Sequence, residues 1–378
     1  AASAVVVANA YYIHPIIADV ARDFEVSPSE IGLVPAMNQL ALAVGIFLLL
    51  PLGDRYSNRR LTTIFVAAQF VSIALMAFSS SFELFVAGST ALGFFTIAPY
   101  LLPAYVSKRI PPERLGQATA TITTGIVAGI LVARAGGGVL AEYYGWRSVY
   151  YVATGLMLLV TILLPLTMEK RRDEASDEDR PSYGRLLLSI PPIVKAHKEI
   201  LLTGTIQALG FGVFLSVWLG LGLHLTSYQM GYGTDVVGYL AAFAVLNLFT
   251  TPILGAFADE IGPRKARVGI AALQFAAACM YWPFGHSLWL LIIPIVLTNL
   301  GGPTIDVANR MTFLSVEPKI RTRLMTVYIV LMFIGGGLAS WFATWAYEHY
   351  DWPGIAALAM VMSGMVLLLS LFGMRLGR

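Results

Sequence analysis

Apolar residues fill this chain in blocks of about twenty, separated by short polar stretches. A bilayer hydrocarbon core of roughly 30 Å is crossed by about 20 residues of α-helix. Windows of that size predict twelve helices, over about 1–20, 28–52, 61–80, 83–106, 116–140, 147–167, 200–224, 234–257, 267–285, 288–312, 323–347 and 353–374. Pro15, Pro99, Pro103, Pro294 and Pro303 fall inside these spans, and membrane helices tolerate such breaks better than soluble ones. The connections are short except for the one over 168–198. The apolar start at Ala1 shows no small-residue cleavage site and is expected to be a first span rather than a signal peptide.

Composition agrees with the pattern. Hydrophobic residues make up 57% of the chain and charged residues 12%, with a mean hydropathy of +0.72; soluble domains carry about 25% charged residues. The net charge of +3 matters less than its placement. With the N-terminus in the cytoplasm, the cytoplasmic loops and C-terminus hold 21 of the 25 Lys and Arg residues, and the opposite face holds Arg22 and Arg147. Lys and Arg resist translocation, so both ends are expected inside. In that assignment Arg264, Lys265 and Arg267 form one cytoplasmic loop.

The chain also repeats itself. PLGDRYSNRR at 51–60 is echoed by GAFADEIGPRK at 255–265, which sets Asp54 on Asp259 and the bases Arg59 and Arg60 on Arg264 and Lys265, an offset of 205. Pro112 matches Pro318, Gly129 matches Gly335 and Trp146 matches Trp352 at an offset of 206. Two parallel six-helix units are therefore expected, 1–167 and 199–378, joined by a solvated cytoplasmic linker over 168–198. One class of secondary transporter uses such halves and places its substrate between them near the midplane.

GDRYSNRR and its echo ADEIGPRK resemble the signature loop of the major facilitator superfamily. PERLGQA and the glycine-rich GIVAGILVARAGGGVLAEYYGWR resemble two further motifs, the latter similar to the helix 5 motif of the drug/proton antiporter branch although its Gly-Pro pair is absent. The resemblance implies an all-α membrane carrier of twelve transmembrane helices in two pseudo-symmetric bundles, working by alternating access. It also implies that Asp54, Arg55, Arg59, Asp259 and Arg264 are conformational-latch residues, joining the halves when the carrier faces outward and parting when it faces inward.

Ionisable groups at membrane depth are costly and are functional candidates by default. Arg134 in helix 5 either bonds backbone carbonyls and polar neighbours or anchors an anion; its high pKa excludes it as a proton carrier. Asp306 and Arg310 in helix 10 share a helical face, as a structural ion pair or as a titrating acid whose pKa rises when its partner moves away. His14, in AYYIHPII of helix 1, titrates near neutrality. Cavity lining by helices 1, 4, 7 and 10, as the resemblance implies, favours it over His197, His224, His286 and His349, which are expected to be exposed. Asn38, Gln39, Tyr100, Gln207 and Asn299 complete the substrate and proton candidates, although polar groups also hold membrane helices together. Gly125, Gly129 and Gly136 to Gly138 are expected to give helix 5 a smooth face toward helix 8, and Gly335 to Gly337 to do the same from helix 11 toward helix 2.

No phosphate-cradling, nucleophile-base or metal-spacing motif occurs, and no cofactor is expected. Cys279 is the single cysteine. Bases confined to one membrane face argue against nucleic-acid binding. The expectation is a monomeric, non-enzymatic transporter of the bacterial inner membrane, with lipid around it. Its leading form is proton-coupled export of a small organic molecule. The alternatives are an importer or facilitator of an organic anion held by Arg134, and a non-transporting receptor.

Overall fold

The computed structural model describes residues 1–107, 112–168, 183–314 and 318–376; the side chains of Asp54, Asp259 and residues 112–120 are among those outside the described set. The expected loop bases Lys108, Arg109, Lys170, Arg171, Arg172, Arg180 and Arg378, and the motif over 111–116, likewise lie wholly or in their side chains outside it. Among the described residues the chain is helical, without strands. The helices are α1 (Ala2–Ala8), α2 (Ile13–Asp23), α3 (Pro28–Ile31), α4 (Leu33–Leu49), α5 (Asn58–Ala77), α6 (Phe82–Phe95), α7 (Ala98–Ser107), α8 (Pro112–Tyr144) and α9 (Trp146–Thr167). They continue with α10 (Tyr183–Leu188), α11 (Ile190–Ala196), α12 (Glu199–Leu225), α13 (Thr234–Ala242), α14 (Leu246–Ile261), α15 (Pro263–Phe284), α16 (Leu288–Leu314) and α17 (Pro318–Leu376).

Nine helical segments among the described residues are long and apolar enough to cross a membrane, and the last runs 53 residues, Arg323–Arg375. That last one doubles back at Asp351, whose backbone sits at φ 49°, ψ −146°. The expected span over 234–257 is divided into α13, a 3-10 turn over Phe243–Val245, and α14.

Two helices break where proline removes a backbone donor. Pro15 cannot donate to the carbonyl of Tyr11, and the N–H of His14 takes that carbonyl instead, at 3.3 Å; residues 9–12 form a turn between α1 and α2. Pro99 leaves the Phe95 carbonyl in the same position, and Ile97 N–H supplies it at 2.7 Å, which separates α6 from α7. Gln69 on α5 ties the two breaks together: its Nε2 donates to Val6 O at 3.2 Å and to Thr96 Oγ1 at 2.6 Å.

Helix ends are capped locally. Ser27 and Glu30 form a reciprocal capping box on α3, with bonds of 3.3 and 2.8 Å, and Ser81 caps α6 through Leu84 N–H at 3.3 Å. Gly145 makes the one-residue turn from α8 to α9 at φ +79°, a conformation that only glycine adopts without strain.

The two repeats meet at both ends of the bundle. At the end bearing Arg55, Arg59 and Lys198 (the basic end), Leu42, Ile46, Phe65 and Leu101 pack with Ile200, Phe313, Leu324, Tyr328 and Phe333. At the opposite end, Leu215, Leu219 and Leu223 of α12 enter a core built largely from α1, α2, α5, α6, α8 and α9. The helix 5 glycines divide their faces, contrary to the expected single surface. A side chain at Gly125 would meet open space, one at Gly129 would strike Ala4 of α1, and one at Gly138 would strike α13 at Thr234 and Gly238. Gly335 and Gly336 likewise pack on Ala208 and Phe211 of α12, and Gly337 alone meets α4, at Ala36 and Leu40.

Candidate functional site

The broken first helix places Tyr11 and His14 beside Arg134 of α8. Arg134 is 2% exposed and His14 1%. The guanidinium carbon lies 4.3 Å from the ring centre of Phe214, 4.7 Å from Trp218 and 5.3 Å from Tyr11. Phe214 and Trp218 are four residues apart on α12 and so share a face. Arg134 is therefore held by both repeats, in a cage that stabilises its charge through ring faces. His14 meets the same Tyr11 ring edge-on, at 5.3 Å between centres.

The cage does not satisfy its polar atoms. Nε and Nη2 of Arg134, both ring nitrogens of His14, and both amide atoms of Asn9 are buried without a hydrogen-bond partner. Among the described residues no carboxylate pairs with Arg134. Nε and Nη2 form one edge of the guanidinium, the edge that receives a carboxylate or phosphate through two parallel bonds. A buried cation with that edge unpartnered, and no carboxylate paired with it among the described residues, is complementary to an anion.

Asp306 and Arg310 form a second cluster. Their ion pair spans 2.9 Å and is part-exposed, and Tyr328 of α17 donates to the same carboxylate oxygen at 2.7 Å. The acid thus joins α16 to α17 within the second repeat. A ladder of rings, from Tyr100 to Phe333 (6.4 Å), Phe211 (5.7 Å) and Phe214 (6.0 Å), leads across the repeats to Arg134.

The other candidates fall elsewhere. Asn38 donates to Ser89 O at 2.8 Å and Ser89 to Val34 O at 3.0 Å, which staples α4 to α6. Gln39 and Asn299 are buried, with Oε1 and Nδ2 respectively unpartnered. Gln207 accepts from Asn309 at 3.4 Å, and Asn309 accepts from Arg267 at 3.1 Å. Arg267 is fully buried on α15, not part of a basic loop as expected, because Pro263 already begins the helix and turns Arg267 inward. His224 is buried too, against expectation: its ring stacks on Trp352 at 4.7 Å and its Nε2 lies 2.8 Å from Gly285 O.

Of the residues expected to form the latch, Arg59 donates to Pro165 O through Nε and Nη2 at 3.0 and 2.9 Å, and Arg264 pairs with Glu199 at 2.8 Å. Each contact stays within one repeat. Arg55 is exposed, and the side chains of Asp54 and Asp259 lie outside the described residues.

A helical membrane protein whose internal repeats enclose an uncompensated arginine belongs, by architecture, with the secondary carriers. The sequence model of the Major Facilitator Superfamily matches residues 1–285 and 237–376, and the chain belongs to that family. It is 28% identical over 355 residues to the uncharacterized transporter YgaY of Escherichia coli O157:H7, covering 94% of this chain and 89% of the relative. It is 24% identical over 228 residues to the multidrug resistance protein MdtG of Escherichia fergusonii, covering 59% of this chain and 54% of that one. Its fold superposes on a bacterial homologue of the human lysosomal transporter Spinster, in an inward-facing and occupied conformation, with a TM-score of 0.80 at 15% identity over 99% of this chain and 95% of the other.

Proposed function

We propose that this transporter exports a small organic anion from the bacterial cytoplasm by alternating access, driven by protons. The observation that carries the reading is Arg134, a fully buried cation whose bidentate edge is unpartnered at the junction of the two repeats. Burying a charge without a partner is expensive, and a cargo that supplies the counter-ion offsets that cost on binding. Phe214, Trp218 and Tyr11 then offer ring faces to an apolar or aromatic body. The name of MdtG supports the outward direction.

In this reading units 1–167 and 199–378 rock about the cage as one monomer of twelve helices, with both termini and the linker over 168–198 in the cytoplasm. Asp306 carries the coupling proton. Its carboxylate is part-exposed at the Arg310 and Tyr328 contacts. His14, unpartnered beside the anion site, is the second proton group. Asp54 and Asp259 with Arg55, Arg59 and Arg264 close the basic end in the alternate state. Proteoliposome uptake and efflux of an organic-anion panel, with and without an imposed pH gradient, tests the reading. Gradient-dependent movement of anions supports it, and movement of neutral solutes alone overturns it.

A further inference from the structure

Two glutamates at the end opposite the basic loops reach across the repeat boundary. Glu142, at the end of α8, accepts from the backbone N–H of Thr234 at 2.9 Å and from its hydroxyl at 3.2 Å, at the first residue of α13. Glu348 on α17 accepts from the backbone N–H of Ser29 at 2.7 Å, in the first turn of α3. The positions correspond through the internal repeat: Glu142 and Glu348 are 206 residues apart, and Ser29 and Thr234 are 205 apart. Each contact therefore has the other repeat as its partner, and the two match one another to within one residue.

The close packing beneath them follows the same relation. Four residues before Glu142, Gly138 faces Gly238, and a side chain on Gly138 would lie 3.1 Å from the Gly238 Cα. Four residues before Glu348, Thr344 faces Gly32, where an added side chain would collide with its hydroxyl. Gly32 and Gly238 are 206 apart, as are Gly138 and Thr344. Below Gly138 on the same face of α8 stands Arg134, whose carbonyl lies 3.2 Å from where a side chain on Gly238 would begin.

We propose that Glu142 and Glu348 are a matched pair of gate residues that hold the end opposite the basic loops closed. A carboxylate that accepts from a backbone N–H in the first turn of a helix makes a charge-assisted hydrogen bond with a group that has no partner inside the helix. That bond exists only while the repeats are together, so it favours the closed state over the open one. Local capping does not account for the contacts: α3 already has the Ser27–Glu30 box, and both glutamates belong to the other repeat. Both glutamates are solvent-exposed, so their carboxylates are hydrated on release and the clamps can part. With Arg134 one and two turns below Gly138 and Glu142, cargo at the cage and the gate share one helix face.

The inference rests on alternating access but not on the nature of the cargo. The test is a distance measurement by double electron-electron resonance, in nanodiscs without substrate. Nitroxides are placed at Ser80 and Tyr228, exposed loop positions on that end in opposite repeats, on a Cys279→Ser background. The unsubstituted protein is expected to show a dominant short distance. Glu142→Gln or Glu348→Gln alone should move part of the population to a longer one, and the double variant most of it. Glu83→Gln removes an exposed carboxylate from the same end, one that bonds Ser81 of its own repeat, and should change nothing. Unaltered distances in folded single or double variants overturn the proposal, as does an equal shift with Glu83→Gln. If those variants still transport, the gate assignment alone fails and the carrier reading stands.

Discussion

A lone arginine in a water-poor junction stabilises nothing by itself, and its cost gives a prediction of unusual sign. Arg134→Met keeps most of the side-chain volume among Phe214, Trp218 and Tyr11 while removing the unpaired charge. Replacing buried ionic groups by apolar residues of similar volume is often neutral or stabilising by about 1–4 kcal/mol. Thermal unfolding of the detergent-solubilised variant should therefore occur at or above the temperature of the unsubstituted protein, although anion transport is lost. A marked drop in melting temperature would make Arg134 a structural residue. Asp306→Asn separates coupling from translocation: it should abolish accumulation driven by a pH gradient and preserve exchange between equal pools, which needs no net proton movement. The Asp306 hydrogen bond from Tyr328 survives with an amide oxygen, so loss of exchange as well would assign Asp306 to architecture.

At the scale of the element, the apolar blocks foretold most helices, but a proline reads only as tolerated within a span, and the breaks between α1 and α2 and between α6 and α7 were not anticipated. Nor did the blocks reveal which face turned inward. Arg267 sat in a run of bases that read as a loop, yet Pro263 at the first helical position and the buried stripe Arg267, Ile270, Ala271, Gln274 place it inside. That stripe was legible; the charge obscured it. His224 gave no such signal, because α12 is buried all round its outer half and Trp352 is 128 positions away in sequence. The repeat also exposes one strained turn. Gly145 and Asp351 correspond, each preceding a matched tryptophan, but Asp351 holds φ 49°, ψ −146° with a side chain. Such conformations cost a non-glycine residue about 1–3 kcal/mol. Asp351→Gly should raise the midpoint of thermal unfolding without altering transport; a lower midpoint would show that the carboxylate contributes more than the strain costs.

For the whole molecule, the bases gathered at one end of the apolar spans bear on how the carrier is oriented. The orientation is open to direct labelling. Lys195→Cys, exposed at the basic end, should react with a membrane-impermeant maleimide only from the cytoplasmic side, and Tyr228→Cys only from outside; reversed labelling would invert the topology. Whether the cage around Arg134 receives an anion is decided by one comparison. Transport into proteoliposomes would be measured for matched pairs of aromatic and aliphatic carboxylates and their neutral amides. A bidentate charged pair contributes about 1.5–3 kcal/mol, so the protein should prefer the acids of at least one pair by about tenfold or more. Arg134→Met should erase that preference. Equal transport of acids and amides, or a preference undiminished in Arg134→Met, would contradict the account.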